Sequence, residues 1–209
     1  MAPLKSVIFD YGNVLCRPQP AEEVSAMAAE FHLDVERFRD LYWRKRLPYD
    51  RREMTPEEYW KDFSQMAGVE LHNGGLGRVM ALDSSSWSHG DPVMVDWAMR
   101  VRDTGIRTAI LSNMPLSLRE HLDAIHPWIH RFDYRVFSCD VRMAKPSAGI
   151  YERVLAGLGV QPEASLFLDD RPDNVHAARE LGMNAVLFTT PAAAAAELSD
   201  RYHLPPLEV

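Results

Sequence analysis

Apolar runs too short for helices punctuate this chain, and polar residues follow each of them. Leu4-Lys5-Ser6-Val7-Ile8-Phe9, Gly105-Ile106-Arg107-Thr108-Ala109-Ile110-Leu111 and Ser165-Leu166-Phe167-Leu168 read as strands, the first of the kind buried in a parallel sheet. From 17 to 85 strand signals give way to helical ones. Residues 21–32 and 34–46 predict helices, the second with Asp34 as N-cap. Thr55-Pro56-Glu57-Glu58 is a capping box with proline at the first helical position, and it opens a helix running from Tyr59 to Ala67. A further short helix is expected before Leu82. From Asp91 onward strands alternate with helices, expected near Pro92, near Pro115, over 147–158 and over 175–181. That alternation is the pattern of parallel βαβ units. The alanine run from Ala192 to Ala196 reads as helix. The fold class is therefore α/β, with an all-helical insert after the first strand.

Ligands of open α/β sheets bind just beyond the carboxyl ends of the strands, so the residues standing there carry the functional argument. The first strand runs into Asp10-Tyr11-Gly12-Asn13, where a carboxylate meets two residues that tolerate unusual backbone angles. Asp10 there either caps the turn or serves as metal ligand or nucleophile. The second strand ends in Ser112-Asn113-Met114-Pro115; Ser112 and Asn113 offer donors for a phosphate oxygen, or an N-cap for the next helix. Lys145 precedes Pro146, which holds the residue before it extended. It is either a presented ammonium or a solvated charge. The strand ending at Leu168 feeds directly into Asp169-Asp170. Adjacent carboxylates at the end of a buried strand favour a shared proton or a bound cation, and the cation is the reading preferred here.

These four segments resemble the haloacid dehalogenase superfamily of aspartate-nucleophile hydrolases. The resemblance covers nearly the whole chain. Asp10, Ser112, Lys145 and Asp169-Asp170 match its four motifs in order, with intervals of 102, 33 and 25 residues between positions 10, 112, 145 and 170. The wording of Phe137-Ser138-Cys139, Ile150-Tyr151 and Ala177-Ala178-Arg179-Glu180-Leu181-Gly182-Met183 is similar to the subfamily that holds sugar-phosphate phosphatases and the phosphatase domain of bifunctional epoxide hydrolases. The resemblance implies a Rossmann-like three-layer α/β/α core, made of 1–16 and 86–209, with 17–85 as a helical cap over the active site. It further implies a Mg²⁺-dependent phosphomonoester hydrolase acting on a small phosphorylated metabolite, a sugar phosphate among the candidates. Asp10 would be the nucleophile. Asp10, the Gly12 carbonyl and Asp170 would hold Mg²⁺, with Asp169 also in the metal site and Asn174 beside it. Ser112, Asn113 and Lys145 would bind the phosphate.

One position departs from the family pattern. The first motif is usually Asp-x-Asp, and its second aspartate protonates the leaving group and later activates water. Here that position is Gly12, which can lend a carbonyl to a metal but cannot do acid–base chemistry. General acid–base help is typically worth about 10²–10⁴-fold, so a slow enzyme, a good leaving group or another proton donor is expected. Two alternatives follow: a dehalogenase, since such enzymes also lack this aspartate, or a weakly active homologue that binds a phosphorylated ligand or a protein.

Composition changes this picture little. The 209 residues suffice for one α/β core and a small second lobe. A net charge of −7 without a basic block argues against nucleic-acid and membrane-surface roles. The sequence shows neither a signal peptide nor an apolar run long enough to span a bilayer, and a cytoplasmic location is expected. Cys16 and Cys139, far apart and beside apolar residues, are read as reduced buried thiols. The cluster Tyr42, Trp43, Arg44, Lys45, Arg46, Tyr49, Arg51, Arg52 and Trp60 has two readings. One is a substrate pocket, with an arginine gripping an anionic group and an indole packing on a sugar. The other, preferred for most of them, is amphipathic helix with aromatics inward and basic residues in water, one or two being left to point at the cleft. His89 and His121 are expected to be ordinary polar side chains.

Overall fold

The computed structural model describes residues 3–72 and 74–208. β1 (Ser6–Phe9) leads into five cap helices: α1 (Ala21–Glu30), α2 (Val35–Arg44), α3 (Arg46–Asp50), α4 (Pro56–Ala67) and α5 (Gly75–Ser86). Thereafter come α6 (Pro92–Asp103), β2 (Arg107–Ser112), α7 (Leu116–Ile125), β3 (Tyr134–Phe137), α8 (Ser138–Val141), α9 (Ala148–Leu158), β4 (Ser165–Asp169), α10 (Pro172–Glu180), β5 (Asn184–Leu187) and α11 (Pro191–Ala196). The five strands form one parallel sheet in the order β3-β2-β1-β4-β5. Among the described residues, no helix is long and apolar enough to cross a membrane.

Alternation along the strands builds two separate cores. Val7 and Phe9, with Ile110, Leu166 and Leu168, face α6 and α7. Ile8, with Ala109, Leu111, Val136 and Phe167, faces α9 and α10. The result is a three-layer α/β/α core, as the sequence predicts. Strand order places the functional crevice. The chain leaves β1 toward β2 on one side and returns as β4 on the other, so the carboxyl ends of β1 and β4 flank the point where the winding reverses. Register fixes their heights, since Phe9 pairs with Ile110 of β2 and Leu168 of β4. Asp10 and Asp169 therefore leave the sheet at one level.

The cap helices bury their own apolar cluster, built around Phe31, Phe38, Tyr42, Tyr59, Trp60 and Phe63. The Asp34 cap and the Thr55–Glu58 capping box both form. The helix expected over 34–46 instead breaks at Lys45, and α3 starts afresh at Arg46. Pro48 explains the break. In a continuous helix its ring would clash with the carbonyl of Arg44, and it has no N–H to donate. The last cap helix runs on to Ser86, well past Leu82. β3 and β5, too short and too polar at their starts to stand out in the sequence, complete the sheet.

The break at Lys45 has an electrostatic consequence. Arg46, expected in water, is buried at 5% exposure. Its guanidinium bonds Asp50 at 2.9 Å and both oxygens of Asp83 at 3.2 Å, and also reaches the Tyr42 hydroxyl. Burial works against its charge, but Asp83, Tyr42 and Asp50 outweigh that and hold the guanidinium well above its ordinary range. The cluster fastens α2, α3 and α5 together. Tyr49 meets Ser117 at 2.9 Å, and Ser138 donates to the Asp50 carbonyl at 2.6 Å, joining the cap to the core.

Removing one partner of a buried charge leaves the other poorly compensated. Asp83→Ala should therefore lower stability by about 3–5 kcal/mol, read as a shifted midpoint in urea denaturation. An unchanged midpoint would show that Asp83 does not hold the cap together.

Candidate active site

Four chain-distant loops meet at the reversal point. Asp10 follows β1 and accepts from the Tyr11 N–H at 2.7 Å, while its own N–H donates to the Leu168 carbonyl at 2.9 Å. The chain then turns sharply. Asn13 takes the left-handed conformation (φ 55°), which asparagine tolerates better than most residues, and its side chain donates to Asp170 at 2.8 Å. Sequence reasoning gave Asn13 only a turn role; its grip on Asp170 is new.

Lys145 is 2% exposed and reaches both sides of the crevice, with its Nζ 2.8 Å from Asp10 and 2.6 Å from Asp169. Asn113 sets that reach. Its amide donates to the Lys145 carbonyl and accepts from the Lys145 N–H, both at 2.9 Å. The Asn113 side chain thus positions the lysine, and its backbone N–H is the donor that remains for a ligand. Ser112, buried at the end of β2, borders the same cavity.

The two adjacent aspartates do different things. Asp169 is fully buried and accepts from Lys145, from the Arg171 N–H at 2.8 Å and from the Asn174 amide at 2.9 and 3.1 Å. Asp170 is partly exposed and borders the cavity. Oxygens of Asp10, Asp169 and Asp170 nevertheless all lie within 4.8 Å of one another, close enough to share one cation.

Electrostatics express that crowding. Asp10 is lifted to about 7, chiefly by burial, with Lys145 pulling it down and Asp169 pushing it up. Burial likewise raises Asp170, against the Asn13 hydrogen bond. For Lys145, burial opposes the charge, but Asp10 and Asp169 outweigh it and hold the ammonium above its ordinary range. Three carboxylates face one ammonium, and a hard divalent cation fits the two charges left over. The oxygen-only donor set suits Mg²⁺.

The cavity above these groups encloses about 510 Å³. Core residues Asp10, Ser112, Asn113, Lys145 and Asp170 form one side, and the Gly12 backbone borders it too. The cap contributes Trp43, Arg46, Leu47 and Asp50, with Trp87 just after α5. The expected inward packing of aromatics and outward basic residues holds for Tyr42, Tyr49, Trp60, Arg44, Lys45 and Arg52, and is reversed at Trp43 and Arg46. Of the two histidines, His89 sits 3.2 Å from Glu23, outside this cavity. Cys16 and Cys139 are buried free thiols.

A family model of haloacid dehalogenase-like hydrolases matches residues 4–182. The chain belongs to that family. This hydrolase is 26% identical over 212 residues to mouse bifunctional epoxide hydrolase 2, a match that takes in 93% of the chain and 38% of the relative's length. The chain thus spans well under half of that relative. It is 22% identical to sesquiterpene phosphatase astK of Aspergillus oryzae, over 93% of the chain and 94% of the relative. Among solved structures, the haloacid dehalogenase family enzyme bt-2542 of Bacteroides thetaiotaomicron, in complex with magnesium and inorganic phosphate, superposes with a TM-score of 0.73 at 19% identity, covering 89% of this chain and 94% of that one.

The raised Asp10 carries a pH signature. Between the ordinary value of 3.8 and about 7 the folded hydrolase keeps a proton on Asp10 that the unfolded chain has lost, so this group lowers stability as pH rises through that window. In chelator-treated buffer the Tm should fall from about pH 5 to about pH 7, and fall less in Asp10→Asn. Equal slopes for the two proteins would contradict the burial argument.

Proposed function

We propose that the enzyme is a Mg²⁺-dependent phosphomonoester hydrolase acting through an aspartyl-phosphate on Asp10. The observation that carries this reading is the convergence of Asp10, Asp169 and Asp170 within 4.8 Å, with the buried Lys145 paired to Asp10 and Asp169. A phosphatase relative and a family structure holding magnesium and phosphate support it.

The chain's own residues divide the work. Asp10 is held from below by the Tyr11 N–H and aimed into the cavity, where its carboxylate attacks phosphorus in line. Ser112, the Asn113 N–H and Lys145 supply preorganised donors for the phosphoryl oxygens. Asp10, Asp170 and the Gly12 carbonyl would hold Mg²⁺, which when bound offsets the repulsion between anionic nucleophile and anionic phosphate. Asp169 serves chiefly to fix Lys145, Asn174 and the Arg171 backbone, because three donors already occupy its oxygens. Water then releases phosphate from Asp10 and restores the carboxylate.

Gly12 motivates the competing reading, carbon–halogen cleavage, which needs no metal. The retained pair Asp169-Asp170 argues against it. With Mg²⁺ and a panel of phosphomonoesters, Asp10→Asn should lower turnover by about 10³-fold or more while the folded protein persists. EDTA should silence the wild type, with Mg²⁺ restoring it. Turnover that survives both treatments would reject the mechanism.

A further inference from the structure

The missing acid and the shape of the cap point to the same class of substrate. A Cβ built on Gly12 would meet Cζ3 of Trp87 at 3.4 Å. The indole therefore lies in contact with the position from which the family's second aspartate would act, and an aromatic ring borders the leaving-group side of the site. That wall is rigid. Trp87 Nε1 donates to the Tyr42 hydroxyl at 3.0 Å, and the Tyr11 hydroxyl donates to the Trp87 carbonyl at 2.8 Å.

Trp43 extends the wall, edge-on to Trp87 with ring centroids 6.3 Å apart. Leu47, one turn further on, borders the same cavity, as do Met114 and Leu118 from the core. Trp43 and Leu47 are 48% and 41% exposed and both border this one cavity. They lie over the reacting groups rather than on a remote face, the arrangement of a pocket that takes an apolar group. The cap's polar residues at the cavity are Arg46 and Asp50, and they are paired with each other at 2.9 Å. On the cap side a polyhydroxylated leaving group would find its hydroxyls facing indole and leucine, the polar side chains Asn13 and Arg171 lying on the core side of the cavity.

Resting on the phosphatase reading above, we infer that the preferred substrates are phosphate monoesters of aromatic hydroxyl compounds, their ring lodged against Trp43, Leu47 and Trp87. The chemistry closes without an acid at position 12. The Asp10 oxygen–phosphorus bond forms as the phosphorus–aryl-oxygen bond breaks. The electron pair leaves on an aryloxide, which is stable enough to depart unprotonated and takes its proton from solvent. Water then cleaves the aspartyl-phosphate, giving inorganic phosphate and free Asp10. The inference departs from the sugar-phosphate expectation raised by sequence resemblance.

The test compares 1-naphthyl phosphate, acetyl phosphate and glucose 6-phosphate with the full chain and Mg²⁺. Acetyl phosphate also has a good leaving group but no ring, so it isolates contact with the wall from leaving-group acidity. Wild-type kcat/KM should be highest for the naphthyl ester, and Trp43→Ala should lower the naphthyl-to-acetyl ratio by about tenfold, mainly through KM. Phenylphosphonate, which cannot be hydrolysed, should inhibit about tenfold more tightly than methylphosphonate, and Trp43→Ala should erase that difference. A ratio unmoved by Trp43→Ala and by Leu47→Ala, or better turnover of glucose 6-phosphate than of the naphthyl ester, would overturn the inference and leave the phosphatase reading standing. No turnover of any of the three would overturn the phosphatase reading itself.

Discussion

The Lys145 ammonium is the interaction on which the active site depends. Three carboxylates at the ends of two adjacent strands would repel one another in a buried crevice, and the desolvation of each would add to the cost. One buried lysine, 2.8 Å from Asp10 and 2.6 Å from Asp169, turns that repulsion into a bonded network. The lysine can stand there because Asn113 grips its backbone from both sides and because Asn174 and the Arg171 N–H complete the shell of Asp169. Parallel register then does the rest, since β1 and β4 bring their last residues to one height.

The cap solves a similar problem by another route. Arg46 is buried among Asp50, Asp83 and the hydroxyl of Tyr42, so the helical lobe is organised around a charge rather than by apolar packing alone. The hub holds α3 in place over the crevice, and α3 touches the core through Tyr49 and the Asp50 carbonyl. The arrangement that presents Trp43 and Leu47 to the cavity is therefore the same one that consumes Arg46 and Asp50 in ion pairs.

What the sequence revealed and what it hid follow from the range of the forces involved. Strands, caps and strand-end residues are local signals: an apolar run, a Thr55–Glu58 capping box, a carboxylate before Gly12. Asp10, Ser112, Asn113, Lys145, Asp169 and Asp170 could be singled out on that basis, and the structure gathers all six around one crevice. Arg46 could not be singled out, because its local partners Tyr42 and Asp50 are joined by Asp83, in a distant helix, to make burial of the guanidinium tolerable. That Trp43 is one of the cluster residues turned to the cleft could not be told either: helical periodicity says which side is apolar, not which part of it lies open over a cavity. The difference in surroundings between Asp169 and Asp170 was hidden too, being decided by donors at Asn13, Lys145, Arg171 and Asn174.

The contact between Gly12 and Trp87 also bears on how such an enzyme can change. A side chain grown from position 12 touches the indole at its first carbon. The two sites are therefore not independent in sequence space: an aspartate introduced at 12 would have its rotamers chosen by whatever stands at 87. Restoring proton donation is then a question for two positions: the first carbon fits at ordinary contact distance, and the indole decides where a carboxyl beyond it can point.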